Sequence, residues 1–302
     1  METLTSCPIC SANKFTPFIS CKDHTVSRET FQVVQCDTCG FRFTNPRPDE
    51  KEIGKYYQSE EYISHSGTSR GVVNTIYGIV RDYTVKQKVK LINKQILNPK
   101  SQILNILDIG CGTGEFLNAC KNNGWNICGV EPSEIARQHA KTNFGIEPLS
   151  QDKLFELNKN QFSVVTMWHV LEHVHQLEKT IKQIKHILID KGALIIAVPN
   201  CNSFDAKYYE KYWAAWDLPR HIYHFTERDI KKLLNKFEFT FSEIVPMKFD
   251  SYYVSLLSEK YKTGKTNLVT GVFNGWKSNR KASHSEIGFS SQIYIAYNTK
   301  RD

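Results

Sequence analysis

The sequence predicts an α/β protein: a doubly wound, mostly parallel, seven-stranded sheet, preceded by a small cysteine-bearing module and a helical connector. Three observations carry this reading. From Ile103 onward, short apolar runs alternate with helical segments, the pattern of a parallel sheet covered on both faces. The first of those runs ends in a glycine-rich loop, "LDIGCGTGEFL" (Leu107 to Leu117). Ahead of them, two Cys-x-x-Cys pairs, Cys7/Cys10 and Cys36/Cys39, crowd the N-terminal segment.

Bulk properties set the limits. A chain of 302 residues suits one large domain plus a small one. Hydrophobic residues make up 40% and aromatic residues 12%, enough to fill a core. No stretch approaches the roughly 20 apolar residues of a membrane span. The opening "METLTSCPIC" lacks the basic region and apolar core of a secretory signal, so a cytoplasmic location is expected. The formal charge is +8, with part of the excess late, in "EKYKTGK" and "WKSNRKAS". That balance favours acidic partners, although a solvated basic surface explains an excess of this size.

In chain order, residues 1–45 read as a strand-like cysteine module, and "NPRPDE" (Asn45 to Glu50) as a proline-rich boundary. Residues 46–100 read as a helical connector or lid, because Ile76, Ile79, Val80, Tyr83, Val85, Val89 and Ile92 recur at helical spacing. Residues 101–302 form the α/β domain. "ILNILDIG" is a buried strand, "GEFLNACKNNG" a short helix and "NICGVEP" a second strand. "SEIARQHAKTNFG" is a helix with Ser133 as N-cap and a glycine after its end. A short strand near "IEPL", the strand "FSVVTMWHV", the helix "QLEKTIKQIKHIL" and the strand "GALIIAVPN" follow. An aromatic-rich loop, the helix "TERDIKKLLNKF" and strands around "FTFSEIVPMK" and "SQIYIAYN" complete the domain.

In an open parallel sheet, ligands bind beyond the carboxyl ends of the strands. Gly110, Gly112 and Gly114 sit there, allowing a tight turn and close backbone approach. The free amides of the next helix point into the same site. Glu131 ends the second strand, where a carboxylate can accept both ribose hydroxyls. The dinucleotide spacing Gly-x-Gly-x-x-Gly fails, because Glu115 takes the sixth position and would repel a pyrophosphate. The pattern instead suits a nucleoside without phosphates that carries a cationic amino-acid end.

"LDIGCGTGEFL", "GVEPS" and "WHVLEHV" together resemble the class I S-adenosylmethionine-dependent methyltransferases, which share a Rossmann-like fold. The likeness is clear over about Ile103 to Asn200. It implies that Gly110, Cys111, Gly112 and Gly114 contact the methionine end of S-adenosylmethionine and that Asp108 orients the loop. It implies that Glu131 binds the ribose, and that Pro132 and Ser133 border the adenine. It further implies that Gln151 or Asp152 meets the adenine amine and that Trp168 floors the site where cofactor and acceptor meet.

Neither the Asn/Asp-Pro-Pro-aromatic motif of exocyclic-amine methyltransferases nor the Pro-Cys of cytosine-C5 enzymes follows the fourth strand; "WHVLEHV" stands there instead. A hydroxyl or activated carbon acceptor remains, and each needs a base for which histidine is suited. His221 is the expected general base, assisted by His169 or Tyr223. His173 and His224 read equally well as structural histidines. Glu172, His173 and His221 also match three of the cation ligands of small-RNA 2′-O-methyltransferases. There the first glutamate is replaced by His169, and the loss of a hard oxygen ligand weakens a magnesium site.

Cys7, Cys10, Cys36 and Cys39 suit a structural zinc held on two knuckles. Cys21 and His24 lie between the pairs at spacing that fits neither, and mixed charges there lack the basic stripe of a nucleic-acid binder. A zinc ribbon followed by a methyltransferase domain, with "NPRP" and "PRHIYHF", resembles bacterial enzymes acting on nucleotide-linked sugars and other small metabolites. The expected activity is therefore methyl transfer from S-adenosylmethionine to a small anionic metabolite, with a homodimer as the expected assembly and no nucleic-acid partner. An RNA or quinone-type O-methyltransferase and a non-catalytic S-adenosylmethionine-binding regulator are the alternatives.

Overall fold

The structure, a computed structural model, describes residues 1–57, 72–95 and 104–299. The side chains of Ile76 and Ile79, and the connector's end at "NPKSQ", lie outside the described residues. Among the described residues, ten strands build two sheets: β1 (Phe15–Lys22), β2 (Thr30–Cys36), β3 (Arg42–Thr44), β4 (Asn105–Ile109), β5 (Asn126–Val130), β6 (Phe162–Trp168), β7 (Leu188–Pro199), β8 (Tyr223–His224), β9 (Thr240–Pro246) and β10 (Ser291–Tyr297). The helices are α1 (Val72–Lys94), α2 (Glu115–Lys121), α3 (Glu134–Phe144), α4 (Leu177–Ile187), α5 (Phe204–Tyr209), α6 (Glu227–Lys236), α7 (Asp250–Thr263) and α8 (Leu268–Ala282).

The larger sheet runs β5-β4-β6-β7-β10-β9. Its pairs are parallel from β5 through β7, and β10 alone runs against its neighbours. The sequence predicts seven strands and the described residues form six. The missing one shrinks to a single parallel bridge between Leu149 and Val130. Pro148 explains this, since it has no N–H to give to a ladder. Strand ends land as the turn chemistry dictates. Ser133 caps α3 by accepting the Ala136 amide at 3.3 Å, and Gly145 closes it in the left-handed conformation. Apolar side chains on both sheet faces, including Ile106, Leu107, Val164, Val165, Leu194 and Ile195, are fully buried.

The second sheet runs β1-β2-β3-β8. Its last strand comes from the far end of the chain: Phe43 faces Tyr223 and Arg42 faces His224. Thr44 tightens the join, its amide donating to the Ile222 carbonyl at 3.0 Å and its hydroxyl to the His221 carbonyl at 2.9 Å. The cysteine module therefore grips the segment that carries His221. A buried ion pair adds a second tie, with Arg220 donating to Asp23 at 3.1 Å and to Asp217 at 2.6 Å. Helix α1 is pinned to the α/β domain by Trp125, whose indole donates to Asn93 at 2.8 Å. No helix among the described residues is long and apolar enough to cross a membrane.

Candidate active site

The loop after β4 takes the shape its glycines permit. Gly110, Gly112 and Gly114 have φ of 72°, 54° and 89°. A side chain at Gly110 would place its first carbon 2.4 Å from Val170 Cγ2. One at Gly112 would meet open space, so this part of the loop presents bare backbone to a ligand. Glu131, buried at the end of β5, accepts the Gly112 amide with one oxygen and the Ser133 amide with the other, both at 2.9 Å. Burial pushes its carboxyl up from the usual range, opposed by those two amides. Asp108 is buried under the loop and accepts the Thr166 hydroxyl at 2.6 Å. Burial raises its carboxyl to about 7.

The other expected cofactor contacts gather at the same edge. Pro132 is exposed beside Glu131. Gln151 and Asp152 open a short 3-10 turn next to Leu149, whose carbonyl accepts the Glu131 amide at 2.9 Å. Asp152 is exposed and accepts the Ser150 hydroxyl at 2.5 Å; Gln151 is half-buried. Trp168 ends β6, stands edge-on to Phe116 with centroids 5.5 Å apart, and its buried indole N–H has no acceptor. Cys111 is packed in the core, where burial raises its thiol.

Beyond β6 lies a cluster of five charged or titratable groups from three segments: His169, Glu172 and His173; His221; and Asp250. His169, in the left-handed region at φ 56°, spans two carboxylates: Asp250 at 2.9 Å from Nε2 and Glu172 at 3.3 Å from Nδ1. Burial lowers its basicity, yet the two carboxylates outweigh burial and raise it to about 10. His169 is therefore an imidazolium at neutral pH and has no lone pair to act as a base, which corrects the expectation that it assists proton removal.

His173 and His221 behave differently. Nδ1 of His221 lies 2.9 Å from the Ala215 carbonyl, and Nδ1 of His173 lies 3.0 Å from the Arg220 carbonyl. A carbonyl only accepts, so His221 Nδ1 holds the proton and its Nε2 keeps the lone pair; His173 Nδ1 also meets the Tyr57 hydroxyl at 2.9 Å, which can donate to it. The rings meet edge to face at 4.6 Å. Burial and the neighbouring His221 hold His173 down to about 4, so it stays neutral. Glu172 is buried with no well-aligned hydrogen bond, and burial's upward push on it is outweighed by the His169 cation 3.3 Å away. Ligand atoms of Glu172, His173 and His221 lie within 4.8 Å of one another.

Tyr223 does not join this cluster. It is buried in β8, its hydroxyl donates to the His175 carbonyl at 3.3 Å, and burial raises the phenol. β-strand alternation turns it into the core, so its expected catalytic role is withdrawn. His224 is buried against Trp216, with Nε2 3.1 Å from the Thr44 hydroxyl. Two functional groups escaped the sequence reading. Asp250 opens α7, and no local motif marks it. Lys88 was findable, since it sits at helical spacing with Val85, Val89 and Ile92 on the buried face of α1. Its ammonium lies 4.3 Å from the Trp168 ring centroid. Burial lowers its basicity, while Asp108 and Asp250 oppose that.

The cysteine cluster is compact. Cys7 and Cys39 sulfurs are 3.6 Å apart, as are those of Cys10 and Cys36, and all four lie within 4.8 Å. These are free thiols at contact distance, close to the separation of about 3.8 Å that zinc–sulfur bonds of about 2.3 Å impose on a tetrahedron. Ser11 and Gly40 donate back to the Cys7 and Cys36 carbonyls at 2.9 and 2.8 Å, closing one tight knuckle at each pair.

Residues 80–244, more than half of the chain, match the family profile described as a methyltransferase domain. The chain belongs to that family. The methyltransferase domain so defined starts inside α1 and ends in β9, so it contains the glycine loop, Glu131 and the His169–His173 segment. The chain is 27% identical over 166 residues to the ubiquinone biosynthesis O-methyltransferase of Pelagibacter ubique, covering 50% of this chain and 65% of that one. It is 33% identical over 106 residues to the protein of the same name from Haemophilus ducreyi, covering 32% of this chain and 45% of that one. The matches thus span less than two thirds of these curated relatives. Among solved structures, the geranyl diphosphate C-methyltransferase of Streptomyces coelicolor A3(2) superposes with a TM-score of 0.50 at 13% identity, over 71% of this chain and 76% of that one. That likeness shows the α/β methyltransferase fold.

Proposed function

We propose that this methyltransferase-family chain transfers a methyl group from S-adenosylmethionine to a hydroxyl of a small, anionic acceptor, with His221 as the base. The observation that carries the reading is the tautomer of His221. Its Nδ1 proton is held by the Ala215 carbonyl, so Nε2, 3.9 Å from Asp217 Oδ2, carries the lone pair that can accept one. The residues fit the cofactor: open backbone at Gly112, a carboxylate beside it at the end of β5 in Glu131, and an aromatic face at Trp168 that already rests against a cation. When bound, the cofactor supplies an electrophilic methyl on a sulfonium. The chain's own part is to align the acceptor, shed water and take its proton. His169, fixed as a cation, offers charge to an anionic acceptor. Hydroxyl is preferred over carbon because the curated relatives are named as O-methyltransferases. A nucleotide-linked sugar and a quinone precursor are the two acceptor classes to assay.

His221→Ala should abolish release of S-adenosylhomocysteine while leaving cofactor affinity nearly unchanged. Turnover that survives the substitution removes His221 as the base. A regulator without catalysis would give no turnover with any acceptor in either protein.

A second reading is favoured by the Glu172 carboxylate, buried with no well-aligned hydrogen bond and with ligand atoms of His173 and His221 within 4.8 Å. Glu172, His173 and His221 would then hold a divalent cation, with each histidine's other nitrogen bound to a carbonyl as a metal ligand's should be. Elemental analysis after dialysis against chelator decides: a second bound metal beyond that of the cysteine cluster supports the cation, and its absence returns His221 to the role of base. The four cysteines are proposed to hold a structural zinc.

A further inference from the structure

The hairpin of α7 and α8 is built inside out. α8 turns Gly271, Asn274, Gly275, Ser278 and Ala282 toward the protein. The small residues let the two helices touch: a first side-chain carbon at Gly275 would stand 2.7 Å from Tyr252 Cα, and one at Gly271 3.0 Å from Leu256 Cα. The opposite face carries the bulky apolar residues. Leu268, Val269, Val272, Phe273 and Trp276 are 62, 81, 48, 55 and 44% exposed. At 3.6 residues per turn these five fall within an arc of about 140°. An ordinary surface helix does the reverse, and a contiguous apolar stripe of this kind marks an interaction site.

Charge selects the partner. From Lys260 to Ser285 the chain carries Lys260, Lys262, Lys265, Lys277, Arg280 and Lys281 and not one Asp or Glu. Much of the +8 excess is therefore gathered around the stripe rather than spread over the surface. Arg280 lies over the Trp276 ring at 5.4 Å, so cation and aromatic share one edge of the stripe. A second copy of the same face would oppose like charges. An apolar stripe with cations beside it, in a segment without a carboxylate between Lys260 and Ser285, matches a surface that is apolar beneath and anionic above.

We infer that α8 docks on an anionic lipid bilayer, lying in the interface with Val269, Phe273 and Trp276 inserted and the lysines and Arg280 against headgroup phosphates. The helix lies on the membrane and does not cross it. α7, packed along α8, begins at Asp250, the partner of His169. Docking therefore sets the hairpin that borders the cluster against the lipid, whatever reaction the cluster performs.

The test uses the full chain with sucrose-loaded vesicles of phosphatidylcholine, with and without phosphatidylglycerol, at low and high salt. The protein should sediment with the anionic vesicles, far less with neutral ones, and less as salt rises. Val269→Glu with Phe273→Glu, both at exposed positions, should cut partitioning about tenfold or more while leaving the melting temperature unchanged. Lys265→Glu with Lys281→Glu should remove the preference for anionic vesicles. No sedimentation with anionic vesicles at low salt, or equal partitioning by the stripe variant, overturns the inference. So does a dimer in analytical ultracentrifugation that the stripe variant dissolves while vesicle binding is absent, because the face then belongs to a second copy.

Discussion

Replacing His169 with glutamine keeps side-chain length and hydrogen-bonding capacity but removes the cation between Glu172 and Asp250. The carboxylates raise this imidazole from its ordinary 6.5 to about 10. At face value that corresponds to about 5 kcal/mol of preference for the folded, protonated form. A third of the side chain faces water, so screening reduces the contribution to about 2 kcal/mol. The sign follows from linkage: a basic group with a raised folded value stabilises fully below its unfolded value of 6.5, and that stability is lost as pH rises through about 10. Urea denaturation of both proteins across this range measures the effect. The advantage of the wild type over His169→Gln should be about 2 kcal/mol below pH 6.5 and should shrink steadily toward pH 10. A stability difference that stays flat across that window would refute the imidazolium assignment.

Other outcomes follow from the same geometry. Gly110→Ala must adopt positive φ and drive a carbon to 2.4 Å from Val170, which should cost about 2–4 kcal/mol in urea denaturation. Adding Val170→Ala should restore the part due to the clash, and a single substitution without effect would refute the packing. Chelation of the proposed zinc should release one metal per chain and lower kcat more than cofactor affinity. The reason is mechanical: β3 holds β8, and Thr44 holds the His221 carbonyl. Equal loss of both would show that the ribbon supports the whole fold rather than the base.

Much of this architecture was written locally. The apolar run at Ile106–Ile109, the glycine turn and the Ser133 cap each state their own structure, and the element between them follows. Where the reading failed, the deciding interaction was remote. Tyr223 sits two residues from His221, yet pairing with Phe43 turns it into the core. His169 looks like a base until Asp250, distant in sequence, arrives beside it. The short strand at "IEPL" was over-read because its one proline was not weighed against the ladder. The C-terminal hairpin was unreadable for a different reason. Val269, Thr270, Gly271, Val272, Asn274 and Gly275 are all poor helix formers, which masks the helical spacing of Leu268, Val269, Val272, Phe273 and Trp276.

The glycine loop and Glu131 are proposed to hold S-adenosylmethionine. Isothermal titration of the wild type and Glu131→Ala with S-adenosylmethionine and with a nicotinamide dinucleotide tests it. Micromolar uptake of S-adenosylmethionine, weakened about tenfold or more by Glu131→Ala, with no uptake of the dinucleotide, is the predicted result. Tight binding of the dinucleotide with indifference to S-adenosylmethionine, or an affinity that Glu131→Ala leaves untouched, would contradict it.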